Sequence, residues 1–356
     1  MFCKKYIIGG NKMKKFTTLV SVFVLALILS ACGGGNANVD CTTSVILITD
    51  VGGIDDRSFN QSTHEGLVRF ADDYADQGAC NLPAIQSASD ADYVPNLTQG
   101  AESTADLVVA AGFLFENSMR DVAAAHPDQK FLLIDAVVAD RDNVASAVFS
   151  AEQGSFLAGV AAAKTADAAG QTRVGFIGGI ESPIIVAFQA GFVQGVHSIN
   201  PDIEVVSQFA GSFADAPAGQ TIANQMFAND VYIIFAAAGQ TGNGVITAAR
   251  DAVQRGEERW VIGVDRDQFE DGRIDADRSV ILTSMLKKVD VAAYDVAKMV
   301  MDGTFEGKTL LFDLHNDGVG LPDENPNLTP EIMAAVNEKR QQVIDGTIVV
   351  SDTMPN

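Results

Sequence analysis

Unbroken apolar runs of five or six residues alternate with helical periodicities through most of this chain, and few architectures can bury such a pattern. Val45-Ile46-Leu47-Ile48-Thr49 is continuously apolar, as a strand covered on both faces requires. A helix over residues 58–75 follows, with Ser58 and Gln61 spaced as a capping box. Its apolar stripe falls on Thr63, Leu67, Phe70 and Tyr74. Strands are expected over 107–112, 131–135 and 144–149, with helices over 118–125 and 156–168. A second series opens with the strand Arg173-Val174-Gly175-Phe176-Ile177-Gly178-Gly179. It runs on through helix 184–199, strand 203–209, helix 218–227, strand 231–236, helix 243–255 and strand 260–265. Alternation of this kind implies parallel sheets covered by helices and wound right-handed. The expected fold class is α/β, with two doubly wound parallel-sheet lobes. Segments 280–285, 289–302 and 310–314 are too few to start a third lobe. They return to complete the two sheets, which makes the connection a multi-strand hinge, and helix 330–344 closes the second lobe. The expected boundaries are 43–148 plus 285–312 for the N-terminal lobe and 149–284 plus 313–356 for the C-terminal lobe.

The first residues set the compartment. Lys14 and Lys15 precede an apolar run from Leu19 to Leu29 that ends in Leu29-Ser30-Ala31-Cys32, followed by three glycines. A basic start, a short apolar stretch and small residues at its end form a secretory signal. The run falls well short of the roughly 20 residues that span a bilayer. Leu-Ser-Ala-Cys is the pattern of a bacterial lipoprotein signal, so residues 1–31 are read as a signal peptide starting at Met13. Residues 1–12 then become an extension ahead of it. Cys32 is expected to carry lipid, with 32–42 as a flexible tether to an extracytoplasmic membrane surface. An ordinary signal peptide ending beside a cysteine is the alternative. Residues 1–31 hold five lysines and no acid, so their removal takes the chain from a net charge of −22 to 19 basic against 46 acidic residues, or −27. Such a charge argues against nucleic-acid binding, which needs a basic face, and against direct contact with an anionic membrane. Of the remaining cysteines, Cys41 lies before the first strand and Cys80 before the second, and export lets a disulfide persist. Neighbouring parallel strands would place both at one sheet edge. A Cys41–Cys80 bridge is therefore expected, with a pair of free thiols as the alternative.

Polar residues collect at the carboxyl ends of the strands, where open α/β sheets bind ligands. The first strand runs into Asp50-Val51-Gly52-Gly53-Ile54-Asp55-Asp56-Arg57-Ser58-Phe59-Asn60-Gln61. Others end in Gly112-Phe113, in Asp135, in Gly178-Gly179, in Ala238-Gly239-Gln240-Thr241-Gly242 and in Asp265-Arg266-Asp267-Gln268. One such aspartate is weak evidence, because Asp is a common turn residue. Three of them, Asp50, Asp135 and Asp265, come from strands of both lobes.

Those segments carry a resemblance. Asp-x-Ser-Phe-Asn-Gln at residues 56–61 and Gly-Val-Asp-x-Asp-Gln at 263–268, with Gly178-Gly179 and the glycines from 239 to 244 between them, resemble the basic membrane protein family of purine nucleoside receptor A-like (PnrA-like) lipoproteins. The likeness runs from about residue 44 to 348. Gln240 departs from it, standing where glycine is more usual. The resemblance implies a type I periplasmic-binding fold that closes on a nucleoside, with purines favoured, and presents it to the permease of an ABC importer. It implies a monomer with no cofactor and no catalytic or metal site. By motif, Phe59 and Phe188 would stack on the two faces of the base, and Asn60 and Asp50 would bond its edge. Asp265 would accept from the ribose hydroxyls, with Gly239 approaching through its backbone and Lys287 reaching the sugar. Asp135 would be a further acid of the cleft. The chemistry agrees: base stacking on aromatics contributes roughly 1–3 kcal/mol per base, and an ionised carboxylate can accept from both vicinal hydroxyls.

Rival readings find less support. The chain carries no Gly-x-x-x-x-Gly-Lys-[Ser/Thr] loop and no Gly-x-Ser-x-Gly elbow. Its four histidines are too widely spaced for a metal site. Gly175-x-x-Gly178-Gly179 lacks the spacing of a dinucleotide loop. Paired carboxylates suit a nucleoside hydrolase, for which Asp50, Asp55 and Asp56 are the only hint. A binding protein of the same fold for a sugar or another small ligand is the nearer alternative, since fold does not fix function.

Overall fold

A computed structural model describes residues 41–354; the signal segment, Met13, the lipidation candidate Cys32 and most of the tether lie outside the described residues. The first lobe begins with strand β1 (Thr43–Thr49), helix α1 (Phe59–Asp73) and the short strands β2 (Ala79–Asn81) and β3 (Ile85–Gln86). Helix α2 (Tyr93–Ala101), β4 (Leu107–Ala111), α3 (Glu116–Ala125), β5 (Lys130–Ile134) and β6 (Val144–Phe149) follow. The second lobe opens with α4 (Ala151–Ala168), β7 (Arg173–Gly178), α5 (Pro183–His197), β8 (Glu204–Phe209) and α6 (Ala216–Ala228). It continues with β9 (Ile233–Ala237), α7 (Gln240–Gln254), β10 (Trp260–Asp265) and β11 (Ile281–Lys287). The chain then supplies α8 (Val289–Met301), β12 (Thr309–Phe312), β13 (Val319–Gly320) and α9 (Pro330–Ile344).

One sheet runs β12-β6-β5-β4-β1-β2, with β3 also paired to β1; the other runs β13-β11-β10-β9-β7-β8. All pairings are parallel except that of β13 with β11. The central strands are fully buried, which is why their sequences are continuous apolar runs. Helices cover both faces: α1 packs on α8, α2 on α3, α4 on α5 and α9, and α6 on α7. The chain crosses between sheets three times, near Ser150, Lys288 and Asp313. The middle crossing falls after Lys287, beyond the expected boundary at 285, because β11 stays paired with β10 through Leu286. At the hinge the rings of Phe149 and Phe312, from two adjacent crossing strands, stack 4.9 Å apart.

Cys41 and Cys80 are bonded, their Cα atoms 5.8 Å apart. Ser44 of β1 is in register with Cys80, so β2 itself carries the second cysteine. The capping box expected at Ser58 and Gln61 is absent: Ser58 is the N-cap of α1 but makes no side-chain cap bond. The Asp56 carboxylate takes that role, accepting from the backbone N–H groups of Ser58, Asn60 and Gln61. A carboxylate at a helix N-terminus meets the positive end of the dipole and accepts more strongly than a hydroxyl. The Ser58 hydroxyl is thereby released for another partner.

Candidate functional site

The carboxyl ends of strands from both sheets line one pocket between them, where open α/β sheets take their ligands. Asp50, Phe59, Asn60, Asp135, Phe188, Gly239, Asp265 and Lys287 all line it. Residues 190 and more positions apart in sequence thus share one surface.

Each lining group is held by its element. Asp50 leaves the end of β1, and its Oδ1 accepts from the Gly52 N–H and from Asn60 Nδ2, both at 2.8 Å. Asn60 Nδ2 also donates to Asp56 Oδ2 at 2.9 Å, which leaves Asn60 Oδ1 buried and unpartnered. Burial, with Asp56 nearby, pushes the Asp50 carboxyl up to about 6 against the bonds from Gly52 and Asn60. Asp135, just after β5, and Asp265, the last residue of β10, both adopt left-handed backbone with φ of 72° and 67°. Non-glycine residues in this region are uncommon and cluster where a side chain must be aimed.

Lys287 ends β11 at the hinge and is 2% exposed. Its Nζ donates to Asp135 Oδ2 and lies 4.9, 5.2 and 5.4 Å from the ring centres of Phe59, Phe149 and Phe188. Cation–π attraction and the carboxylate together compensate a charge withdrawn from water. Lys287 is the one cation among the described lining residues, against Asp50, Asp56, Asp135 and Asp265. Burial raises the Asp265 carboxyl to about 7, opposed by Lys287 and by the Ser58 hydroxyl that donates to Oδ2, and reinforced by Asp56 and Asp135. Gly239 caps α7 with φ 55° and ψ −136°, which favours glycine. A side chain there would sit 3.3 Å from the Phe213 carbonyl.

Several walls escaped the reading of the sequence. Ile184 and Ile185 form an apolar side, and Phe213 meets Phe113, from the strand end Gly112-Phe113 read from the sequence, edge-to-face across the two lobes at 6.2 Å. Phe213 sits in a loop with no periodicity, but a signal for it existed. A Cβ on Gly179 would fall 2.3 Å from the Phe213 ring, so Gly179 is the clearance for that ring, while Gly178 clears Phe209. Phe188, by contrast, is 2% exposed and packs in the second lobe's core against Phe235.

Comparison with known proteins places this arrangement. A family model described as "ABC transporter substrate-binding protein PnrA-like" matches residues 43–354. The chain is 38% identical to the "CD4+ T-cell-stimulating antigen" of Listeria innocua, over 96% of this chain and 99% of the relative. It is 35% identical to the "ABC transporter nucleoside-binding protein BmpA" of Lactococcus lactis, over 95% and 99%. Among solved structures, an ABC transporter solute-binding protein from Aeropyrum pernix K1 superposes with a TM-score of 0.78 at 29% identity, covering 87% of this chain and 94% of that one.

Proposed function

Because this chain belongs to the PnrA-like family of ABC transporter substrate-binding proteins, which bind rather than transform their ligands and share its type I periplasmic-binding fold, we propose that it captures a nucleoside between its lobes. The observation that carries this reading is the division of polar groups in the cavity. Asp50 and Asn60 stand together on the first lobe as donor-seeking and amide groups, while Asp265 and Lys287 stand on the second. Aromatic rings lie between, so a flat heterocycle bonded at its edge fits one end and a polyol the other.

In this reading Phe59 stacks on the base. The part-exposed ring of Phe213 offers a second face, and the buried Phe188 backs the site. Asn60 Oδ1, without a partner in the protein, accepts from an N–H of the base edge, since a buried acceptor left unmade is costly. Asp265 accepts from the sugar hydroxyls, Lys287 donates to the sugar, and the Gly239 backbone lets it approach. Purines are favoured because a two-ring base covers more of the aromatic wall. The chain works as a monomer tethered outside the cytoplasm by lipid on Cys32. Among the described residues no helix is long and apolar enough to cross a membrane. A captured nucleoside passes to the permease of an ABC importer.

A ligand that binds only the folded state raises its apparent stability by RT ln(1 + [L]/Kd). A thermal-shift panel of inosine, guanosine, adenosine, cytidine, uridine, free bases and ribose therefore tests the proposal. The expected response is largest for purine nucleosides and absent for ribose. A rise with ribose but with no nucleoside would replace this reading by sugar binding.

A further inference from the structure

Side chains of the second lobe make three hydrogen bonds to one short loop of the first, and none of the three needs a ligand. Asn243 Nδ2 donates to the Asp56 carbonyl at 3.0 Å. Gln268 Nε2 donates to the Arg57 carbonyl at 2.9 Å, and the Ser58 hydroxyl donates to Asp265. Ser58 and Gln268 are 0% and 3% exposed. The Gln268 amide cannot swing away, since its Oε1 accepts from the Val264 N–H and its backbone N–H donates to Ser284 Oγ. Arg57 holds φ at 58°, the left-handed turn within this loop.

We infer that Asn243 and Gln268, together with the Ser58 hydroxyl of the loop itself bonded to Asp265, form a latch between the 56–58 loop and the second lobe that sets the equilibrium between open and closed lobes, making Ser58, Asn243 and Gln268 positioning residues for ligand capture. Ser58, Asn243 and Gln268 do not line the cavity. The loop they grip is nonetheless the one whose Asp56 carboxylate holds the start of α1 and the Asn60 amide. Closing the latch therefore delivers Phe59 and Asn60 to the second lobe as one unit. Apparent affinity scales with the fraction of molecules in the closed state, so a latch tunes affinity without reading the ligand. The inference rests on the cavity being the nucleoside site only for its affinity readout; the lobe equilibrium exists without ligand.

Asn243→Asp is the sharpest variant. It is isosteric, and its carboxylate faces the Asp56 carbonyl with no proton to share. The Asn243 amide oxygen is buried without a partner, so the melting temperature of this variant is measured alongside that of Ser58→Ala to separate loss of the latch from loss of stability. Spin labels at Asn117→Cys and Glu181→Cys, both exposed beside the strand ends of opposite lobes, report lobe separation in the detergent-solubilised full chain. The expected result is a ligand-free distance distribution shifted to longer values in Asn243→Asp. Inosine affinity should fall roughly 3–10-fold, the size of one lost hydrogen bond, through faster release and with the ranking of nucleosides unchanged. Ser58→Ala should shift the distribution in the same direction. Unchanged ligand-free distances in both variants would overturn the latch, whatever the affinities do. Failure of the unmutated chain to bind any nucleoside would instead overturn the nucleoside reading and leave the distance test standing.

Discussion

At the scale of single residues, Asp265 is the group whose chemistry is most altered by its surroundings. Its carboxyl titrates near 7 instead of about 3.9, because burial outweighs the help from Lys287 and Ser58. The folded protein therefore holds this proton more tightly than the unfolded chain does. Stability from the protonated form is complete below about pH 4 and is lost as pH rises toward about 7. Asp265→Asn removes the ionisation, so it should exceed the unmutated protein in stability above pH 7 by on the order of a few kcal/mol, with the difference fading toward pH 4. Melting temperatures across that range check it, and parallel curves for the two proteins would contradict it. Ligand binding should run the other way. In the proposed binding mode sugar hydroxyls donate to the ionised carboxylate, so capture would expel a proton and nucleoside affinity should weaken as pH falls from 8 to 5.5. Titration calorimetry in buffers of different ionisation enthalpy would register the released proton.

At the scale of elements, the helices owe their approach to glycines. A Cβ on Gly191 of α5 would lie 2.1 Å from the Glu152 carbonyl of α4, and one on Gly66 of α1 would lie 2.2 Å from that of Asp290 on α8. Backbone cannot yield as a flexible side chain does, so Gly191→Ala should destabilise the second lobe by about 1–3 kcal/mol or more despite its better helix propensity. Chemical denaturation would show it as a lower midpoint, and an unchanged midpoint would mean that the two helices slide apart freely. The same element scale explains what the sequence made legible. Buried parallel strands such as 45–49 and 107–111 must be apolar throughout, so their number and order along the chain could be read directly. The polar strand ends at Asp50, Asp135 and Asp265 stood out for the same reason, as interruptions of those runs. Pairing order was not legible, because nothing in the segment 309–312 states that it pairs with β6 in the first sheet. Nor was the role of Ser58, since a hydroxyl before a helix looks the same whether it caps that helix or reaches another lobe. Phe213 was hidden because loop aromatics follow no period; only Gly179, which its ring covers, betrays it.

At the scale of the whole molecule, the decisive quantity is where charge lies when the lobes are closed. The chain carries a net charge of −22, and its cavity concentrates the same sign, with Asp50, Asp56, Asp135 and Asp265 around one lysine already paired to Asp135. A neutral nucleoside enters such a site without penalty and can donate hydroxyls to its acids. A nucleoside monophosphate brings about two further negative charges, and like-charge juxtaposition at a buried surface costs several kcal/mol. Its Kd should therefore exceed that of the parent nucleoside by about 100-fold or more. Added salt should narrow the gap only modestly, because screening acts on exposed charges and reaches a closed cavity poorly. Calorimetry with inosine and its 5′-monophosphate at low and high ionic strength separates the two causes of a gap. A difference that vanishes in salt would mean repulsion by the acidic exterior alone. Persistence in salt would place the discrimination in the cavity itself.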